Sequence, residues 1–213
     1  MPSREFESQR RELADRLQSR YDLSPEVAEA IATVPREEFV PEGRRSAASA
    51  DRPLPIGDGQ TISAPHMVAL MADELNPDPG ADVLEIGTGC GYHAAVTAEL
   101  VGPEHVYSVE YAESLAESAR ERLAELGYGA ISIRQGNGYH GWPEHAPYDV
   151  AYLTCAAGEF PEAVVDQVRV DGLLLGPLGH GAQRLVKAEK RPDGSLDRTD
   201  LGGVRFVEMR GRP

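Results

Sequence analysis

The stretch VLEIGTGCGYHAA, residues 83–95, passes from an apolar run through Glu85 into Gly87, Gly89 and Gly91. A strand that stops in a glycine-rich turn and restarts as a helix offers backbone N–H groups to a ligand. Such turns serve dinucleotides, nucleoside triphosphates or S-adenosyl-L-methionine. The dinucleotide fingerprint spaces its glycines as G-x-G-x-x-G. Here the spacing is G-x-G-x-G, with Thr88 inside the turn and Tyr92 where that pattern needs glycine. No G-K-[ST] follows, so the phosphate-loop signature is missing as well. A carboxylate at Glu85 would repel a phosphate but can accept a hydrogen bond from an ammonium group. The turn therefore favours a cationic amino-acid sulfonium over a pyrophosphate.

Outward from the turn, the chain alternates. DVLEIG reads as a strand, YHAAVTAELV as a helix, HVYSVEY as a strand and SLAESARERLAELG as a helix. AISIRQG, YDVAYLTCA and DGLLLGPLG read as further strands, with PEAVVDQVRV as the helix before the last. Strands alternating with helices at this spacing predict βαβ units and a parallel sheet. The predicted fold class is α/β, a Rossmann-like, doubly wound, mostly parallel sheet. Residues 3–33 carry helical spacing and form an N-terminal cap, with Ser24-Pro25 as an internal helix start. Residues 41–62, rich in Pro and Gly, read as a loop, and a helix is predicted from about Ala64 to Leu75. After residue 180, AQRLVKAEKR, a PDGS turn and GGVRFVEMR predict two strands at the sheet edge. The expected organisation is a single domain over 1–213. It comprises N-terminal helices and a specified loop (1–62), a ligand-binding core (63–179) and C-terminal strands (180–213).

Open α/β sheets bind ligands at the carboxyl ends of their strands. The second core strand ends at Glu110, a carboxylate able to accept both hydroxyls of a ribose. The third ends in Asn137-Gly138. Glu85, Glu110 and Asn137 should therefore converge on one cleft, and this set points to S-adenosyl-L-methionine.

Composition narrows the partners. The net charge is −14, with two lysines, Lys187 and Lys190, among 21 basic residues. A chain this acidic should repel nucleic acid, whose binding rests on neutralising phosphates. Its composition resembles that of proteins adapted to high salt, with an ordinary acidic cytosolic protein as the alternative. No run of about 18 apolar residues predicts a membrane span, and the charged N-terminus lacks a secretory apolar region. Cys90 and Cys155 make no disulfide framework, so the cytoplasm is expected. The six histidines show no zinc-ligand spacing with the cysteines, so no metal is expected. The acidic run Glu113, Glu117, Glu121, Glu125 reads as a solvated helix face.

Several ordered motifs resemble the protein-L-isoaspartate O-methyltransferase family: VPREEFVP, DRPLPIGDGQTISAPHMVALM, VLEIGTGCGY, GNGYHGWPEHAPYD, AAGEFPEAVVDQV and GPLGHGAQRL. The resemblance implies methyl transfer from S-adenosyl-L-methionine to the carboxylate of L-isoaspartyl residues in damaged proteins. It assigns Ser63 to the active site, read here as a hydrogen-bonding group that positions the substrate rather than as a nucleophile. It places Gln60, Thr61 and Ile62 along the cofactor with Gly87, Thr88, Gly89, Gly91 and Gly138. The chain departs from the family pattern at Asn137, where Asp is usual. Cys90 stands for serine, Cys155 for alanine and Glu208 for proline. Two other readings compete: a carboxyl methyltransferase with a different acceptor, and a cofactor-binding protein that acts by interaction alone. The intact Gln60-Thr61-Ile62-Ser63 run argues against the last.

Overall fold

In the computed structural model, residues 4–212 are described; position 3, the expected start of the first helix, lies outside them. Two helices open the chain, α1 (Arg4–Tyr21) and α2 (Pro25–Thr33). Ser24 caps α2, its hydroxyl accepting from the Val27 N–H at 3.4 Å, with Pro25 at the first helical position. The region read as a loop contains a small hairpin, β1 (Leu54–Gly57) and β2 (Gln60–Ile62). These strands are four and three residues long and interrupted by Pro55, which a two-stranded ribbon tolerates at its free edge. So short a pair leaves no alternation to read. Helix α3 (Pro65–Leu75) follows as expected.

The core then runs β3 (Val83–Ile86), α4 (Tyr92–Val101), β4 (Val106–Glu110), α5 (Glu113–Glu125), β5 (Ser132–Gln135), β6 (Tyr148–Leu153), α6 (Glu162–Gln167) and β7 (Val168–Leu178). Two further strands close the sheet, β8 (Gln183–Lys190) and β9 (Leu196–Val204). The strand order is β5-β4-β3-β6-β7-β8-β9; β5 to β7 are parallel, while β8 and β9 add as an antiparallel meander. The strand order reverses at β3, which is followed on one side by β4 and β5 and on the other by β6 and β7. This switch point puts the carboxyl end of β3 at a crevice.

Both faces of the sheet are covered, so β3 is buried at all four positions. Val83 packs with α1 to α4 on one face, and Leu84 and Ile86 pack with Phe160 and Val164 on the other. Helix α4 is buried nearly all round because α2 covers the side that would otherwise meet water. The exposed Glu113, Glu117, Glu121 and Glu125 do form the outer face of α5.

One helix is shorter than its pattern suggests. PEAVVDQVRV predicts helix through Val170, but α6 stops at Gln167 and β7 begins at Val168, paired with Tyr148 of β6. Sheet pairing of β-branched valines outweighs helical propensity there. The orphaned carbonyls at this junction are taken by Lys190, whose Nζ donates to Val165 O at 2.8 Å and Val168 O at 2.7 Å. Lys187 likewise donates to Glu74 O in the last turn of α3. Both lysines of the chain thus end helices.

Candidate functional site

The glycine turn leaves β3 at Gly87, whose φ is +102° and whose added Cβ would meet Thr154 Oγ1 at 2.4 Å. Only glycine fits that approach. Thr154, at the end of β6, donates to Gly87 O at 2.5 Å and ties the two strand ends together. Gly89 also needs positive φ, +55°, and its N–H donates to Glu110 Oε2 at 2.8 Å. Arg122 of α5 supports the turn from behind, donating to Cys90 O at 3.1 Å.

Around this turn lies a cleft of about 750 Å³. It is walled by Gln60, Thr61, Ile62 and Ser63 from the hairpin, by Gly87, Thr88, Gly89 and Cys90 from the turn, and by Glu110 and Gly138 from neighbouring strand ends. Glu110 is 7% exposed; its Oε1 accepts from Ala112 N at 2.9 Å and its Oε2 from Gly89 N. Each oxygen retains a lone pair for a further donor, which suits the two hydroxyls of a ribose. Tyr92 OH and His93 Nε2, buried in residues lining the cleft, have no hydrogen-bond partner among the described residues. Burial lowers the His93 pKa to about 3, so its ring is neutral. The site thus combines two carboxylate oxygens with open lone pairs and a glycine turn that lets a ligand approach its backbone, and this set fits S-adenosyl-L-methionine.

Three expected cofactor residues lie elsewhere. Glu85 is fully buried one layer beneath the cleft rather than facing a ligand ammonium. Tyr152 OH donates to its Oε1 at 2.9 Å and Ser108 Oγ to its Oε2. Ser108 Oγ also lies 2.5 Å from Thr88 Oγ1, so the chain of hydroxyls reaches the glycine turn. Desolvation raises the Glu85 pKa to about 8, against the two hydrogen bonds that lower it. Glu85 therefore supports the turn and is a neutral acid at pH 7. Gly91 (φ +91°) caps α4 and packs against Leu123, where a Cβ would sit 3.0 Å from Cδ1; it serves helix packing. Asn137 does not line the cleft: its Nδ2 donates to Arg212 O at 2.6 Å and its Oδ1 accepts from Tyr139 N at 3.2 Å. Trp142 lies away from the cleft too, edge-on to Tyr107 and beside Arg134.

Other wall residues escape sequence reasoning. Thr154 and Cys155 come from the end of β6, Tyr111 follows Glu110, and Val207 to Arg210 return from beyond β9. None has a local signal, since each arrives through the sheet order. Ser63 does not cap α3, whose N-cap is Ala64. Its carbonyl is held by buried Arg36, which donates to Ser63 O at 3.0 Å, Ala48 O at 2.6 Å and Arg52 O at 3.1 Å. Arg36 has no carboxylate partner among the described residues and lies over the Tyr92 ring at 5.6 Å.

A second pocket adjoins the first. Thr61, Ser63, Thr154 and Val207 line both. Beyond them the second pocket is lined by His66, Met67 and Arg205. His66 Nδ1 lies 2.7 Å from Asp51 Oδ1, and its ring stacks on Tyr21. Arg205 is exposed and makes no ion pair among the described residues.

Comparison with known proteins agrees with this geometry. Residues 8–213 match the family model for protein-L-isoaspartate(D-aspartate) O-methyltransferase. The chain is 52% identical over 208 residues to the protein-L-isoaspartate O-methyltransferase of Ignicoccus hospitalis, covering 96% of this chain and 98% of that one. It is 47% identical over 208 residues to protein-L-isoaspartate O-methyltransferase 2 of Archaeoglobus fulgidus, covering 97% and 95%. A solved protein-L-isoaspartate O-methyltransferase superposes with a TM-score of 0.87 at 33% identity, over 95% of this chain and 66% of the solved one. A Plasmodium falciparum chain described as a beta-aspartate methyltransferase, in complex with S-adenosyl-L-homocysteine, gives 0.83 at 25% identity, covering 94% and 98%. The turn that ends β3, the carboxylate that ends β4 and these relationships agree: the chain belongs to the protein-L-isoaspartate O-methyltransferase family.

Proposed function

We propose that the chain methylates the side-chain carboxylate of L-isoaspartyl residues in damaged proteins, using S-adenosyl-L-methionine. The observation that carries this reading is the junction of the two pockets at Thr61, Ser63, Thr154 and Val207. When bound, S-adenosyl-L-methionine supplies an electrophilic methyl group. A carboxylate is already a competent nucleophile at neutral pH, so the site needs no general base. The Ser63 hydroxyl has no partner among the described residues and would donate to the acceptor carboxylate at the junction. Arg205 supplies a positive charge on the acceptor side of an otherwise acidic molecule. Glu110 would hold the ribose, while Gln60, Thr61, Ile62, Gly87, Thr88, Gly89 and Gly138 line the donor. Catalysis on this reading rests on proximity and orientation, worth about 7–11 kcal/mol in favourable cases. Residues from the hairpin, the core and the chain beyond β9 all wall the cleft, which supports one functional unit across the segments.

The cytoplasm fits two free thiols, Cys90 and Cys155, that line the cleft. Adaptation to high salt fits the net charge of −14 and the solvated carboxylates of α5. One assay tests the acceptor and the salt reading together. Initial methyl-transfer rates are measured on paired isoaspartyl and aspartyl peptides across a potassium chloride series. Transfer to the isoaspartyl peptide alone, rising toward molar salt as the Debye length shrinks to about 3 Å, is expected. Equal transfer to both peptides refutes the repair reading. A rate and a melting temperature that both fall with salt refute the salt reading.

A further inference from the structure

The chain beyond β9 crosses the mouth of the cofactor cleft. It is anchored on one side at the end of β6, where Ala156 N donates to Val207 O at 2.7 Å and Met209 N to Ala156 O at 2.8 Å. Gln183, 7% exposed, clamps the root of this segment through both Phe206 N and Phe206 O. On the far side, Asn137 after β5 donates to Arg212 O at 2.6 Å. Between β6 and β5 lie β3 and β4, which end in the glycine turn and Glu110. Three strand spacings amount to about 14 Å. The five residues from Glu208 to Arg212 bridge this gap. Midway, Arg210 Nη2 donates to Asp58 O at 2.6 Å at the tip of the hairpin. Gln60, with its amide carbonyl turned to Arg210, accepts from Nη2 at 2.9 Å and Nε at 3.3 Å.

We propose that residues 207–212 form a strap that closes the cofactor cleft, and that Asn137 is its catch, a positioning residue that governs cofactor exchange. The proposal rests on the assignment of this cleft to S-adenosyl-L-methionine. Two features of the chain are matched to the role. A carboxylate at 137 has no hydrogen to donate and would repel the Arg212 carbonyl, so the amide is required. Gly211 has φ +99°, and a Cβ there would meet Asn137 Oδ1 at 2.3 Å, so only glycine lets the strap lie on its catch. Entry and exit of the nucleoside then require the strap to lift from Asn137 and Arg210 to lift from the hairpin.

The test uses the full chain with S-adenosyl-L-homocysteine as the probe. Asn137→Asp should speed its dissociation about tenfold, the loss of one well-made hydrogen bond. Gly211→Ala should do the same by a different route. The double variant should dissociate no faster than either single one, because both open the same fastening. Trypsin cleavage after Arg210 in the unliganded chain should accelerate in each variant. Unchanged dissociation and unchanged cleavage in Asn137→Asp would overturn the strap. So would fully additive effects, which would make Asn137 a direct ligand contact. If the unaltered chain does not bind the probe, the cofactor assignment fails, and the trypsin arm still decides whether Asn137 fastens the strap.

Discussion

Replacing Glu85 by Gln is the sharpest probe of the buried layer under the cleft. Glu85 is fully enclosed, and desolvation lifts its pKa from 4.5 to about 8. Ser108 Oγ donates to Oε2 when Glu85 is ionised; on protonation the Oε2 hydroxyl donates to Ser108 Oγ instead, whose hydrogen turns to Thr88 Oγ1, while Oε1 accepts from Tyr152 in both forms. Glutamine reproduces that pattern, with its amide N–H toward Ser108 and its oxygen toward Tyr152. A carboxyl whose folded pKa lies above its unfolded value binds its proton more tightly in the folded state. Its contribution is therefore complete below about pH 4.5 and is lost as pH rises through about 8. The slope is about 1.4 kcal/mol per pH unit across that window, so raising pH from 5 to 8 removes about 4 kcal/mol. Glutamine does not titrate. Glu85→Gln should thus match the natural chain near pH 5 and exceed it by several kcal/mol at pH 8. In melting temperature, that is roughly 2–4 °C per kcal/mol for a chain this long. Denaturant unfolding of both proteins at half-unit steps from pH 5 to 9 provides the difference curve, in which every other titrating group cancels. A flat difference curve refutes a protonated Glu85. A variant less stable at every pH would show instead that the site holds a carboxylate, with the hydroxyls of Ser108 and Tyr152 outweighing burial.

Further outcomes follow from the same geometry. Glu110→Ala should weaken S-adenosyl-L-homocysteine binding at least about tenfold by calorimetry, since hydrogen bonds to a charged group are worth roughly 1.5–3 kcal/mol each; unchanged affinity removes Glu110 from the ribose site. Ser63→Ala should lower kcat with little change in cofactor affinity, because its hydroxyl faces the pocket junction and makes no structural bond; near-normal turnover sinks the positioning role. Arg36→Met should destabilise the fold by at least about 3 kcal/mol in urea, because three carbonyls lose a charged donor; a change under about 1 kcal/mol would show that water replaces the guanidinium.

The repeating pattern of the chain was enough to read β3 through β6, α4, α5 and the capped start of α2. Each is set by residues within about one turn or one strand of each other: apolar spacing, Ser24-Pro25, and glycines where φ must be positive. Glu110 was legible at the cleft for the same reason, as the end of a strand beside the switch point. Tertiary structure decided the rest. Glu85 looked like a ligand group because its neighbours in sequence are the turn, but its partner Tyr152 lies 67 residues away and closes it off. Asn137 looked like a cleft residue, but its amide is taken by Arg212, 75 residues on. The hairpin tip meets Arg210 across 152 residues. Local spacing specifies which face or end of an element a side chain occupies. Whether that place is cleft, core or clasp depends on the segment that the sheet order brings over it, and no local period carries that information.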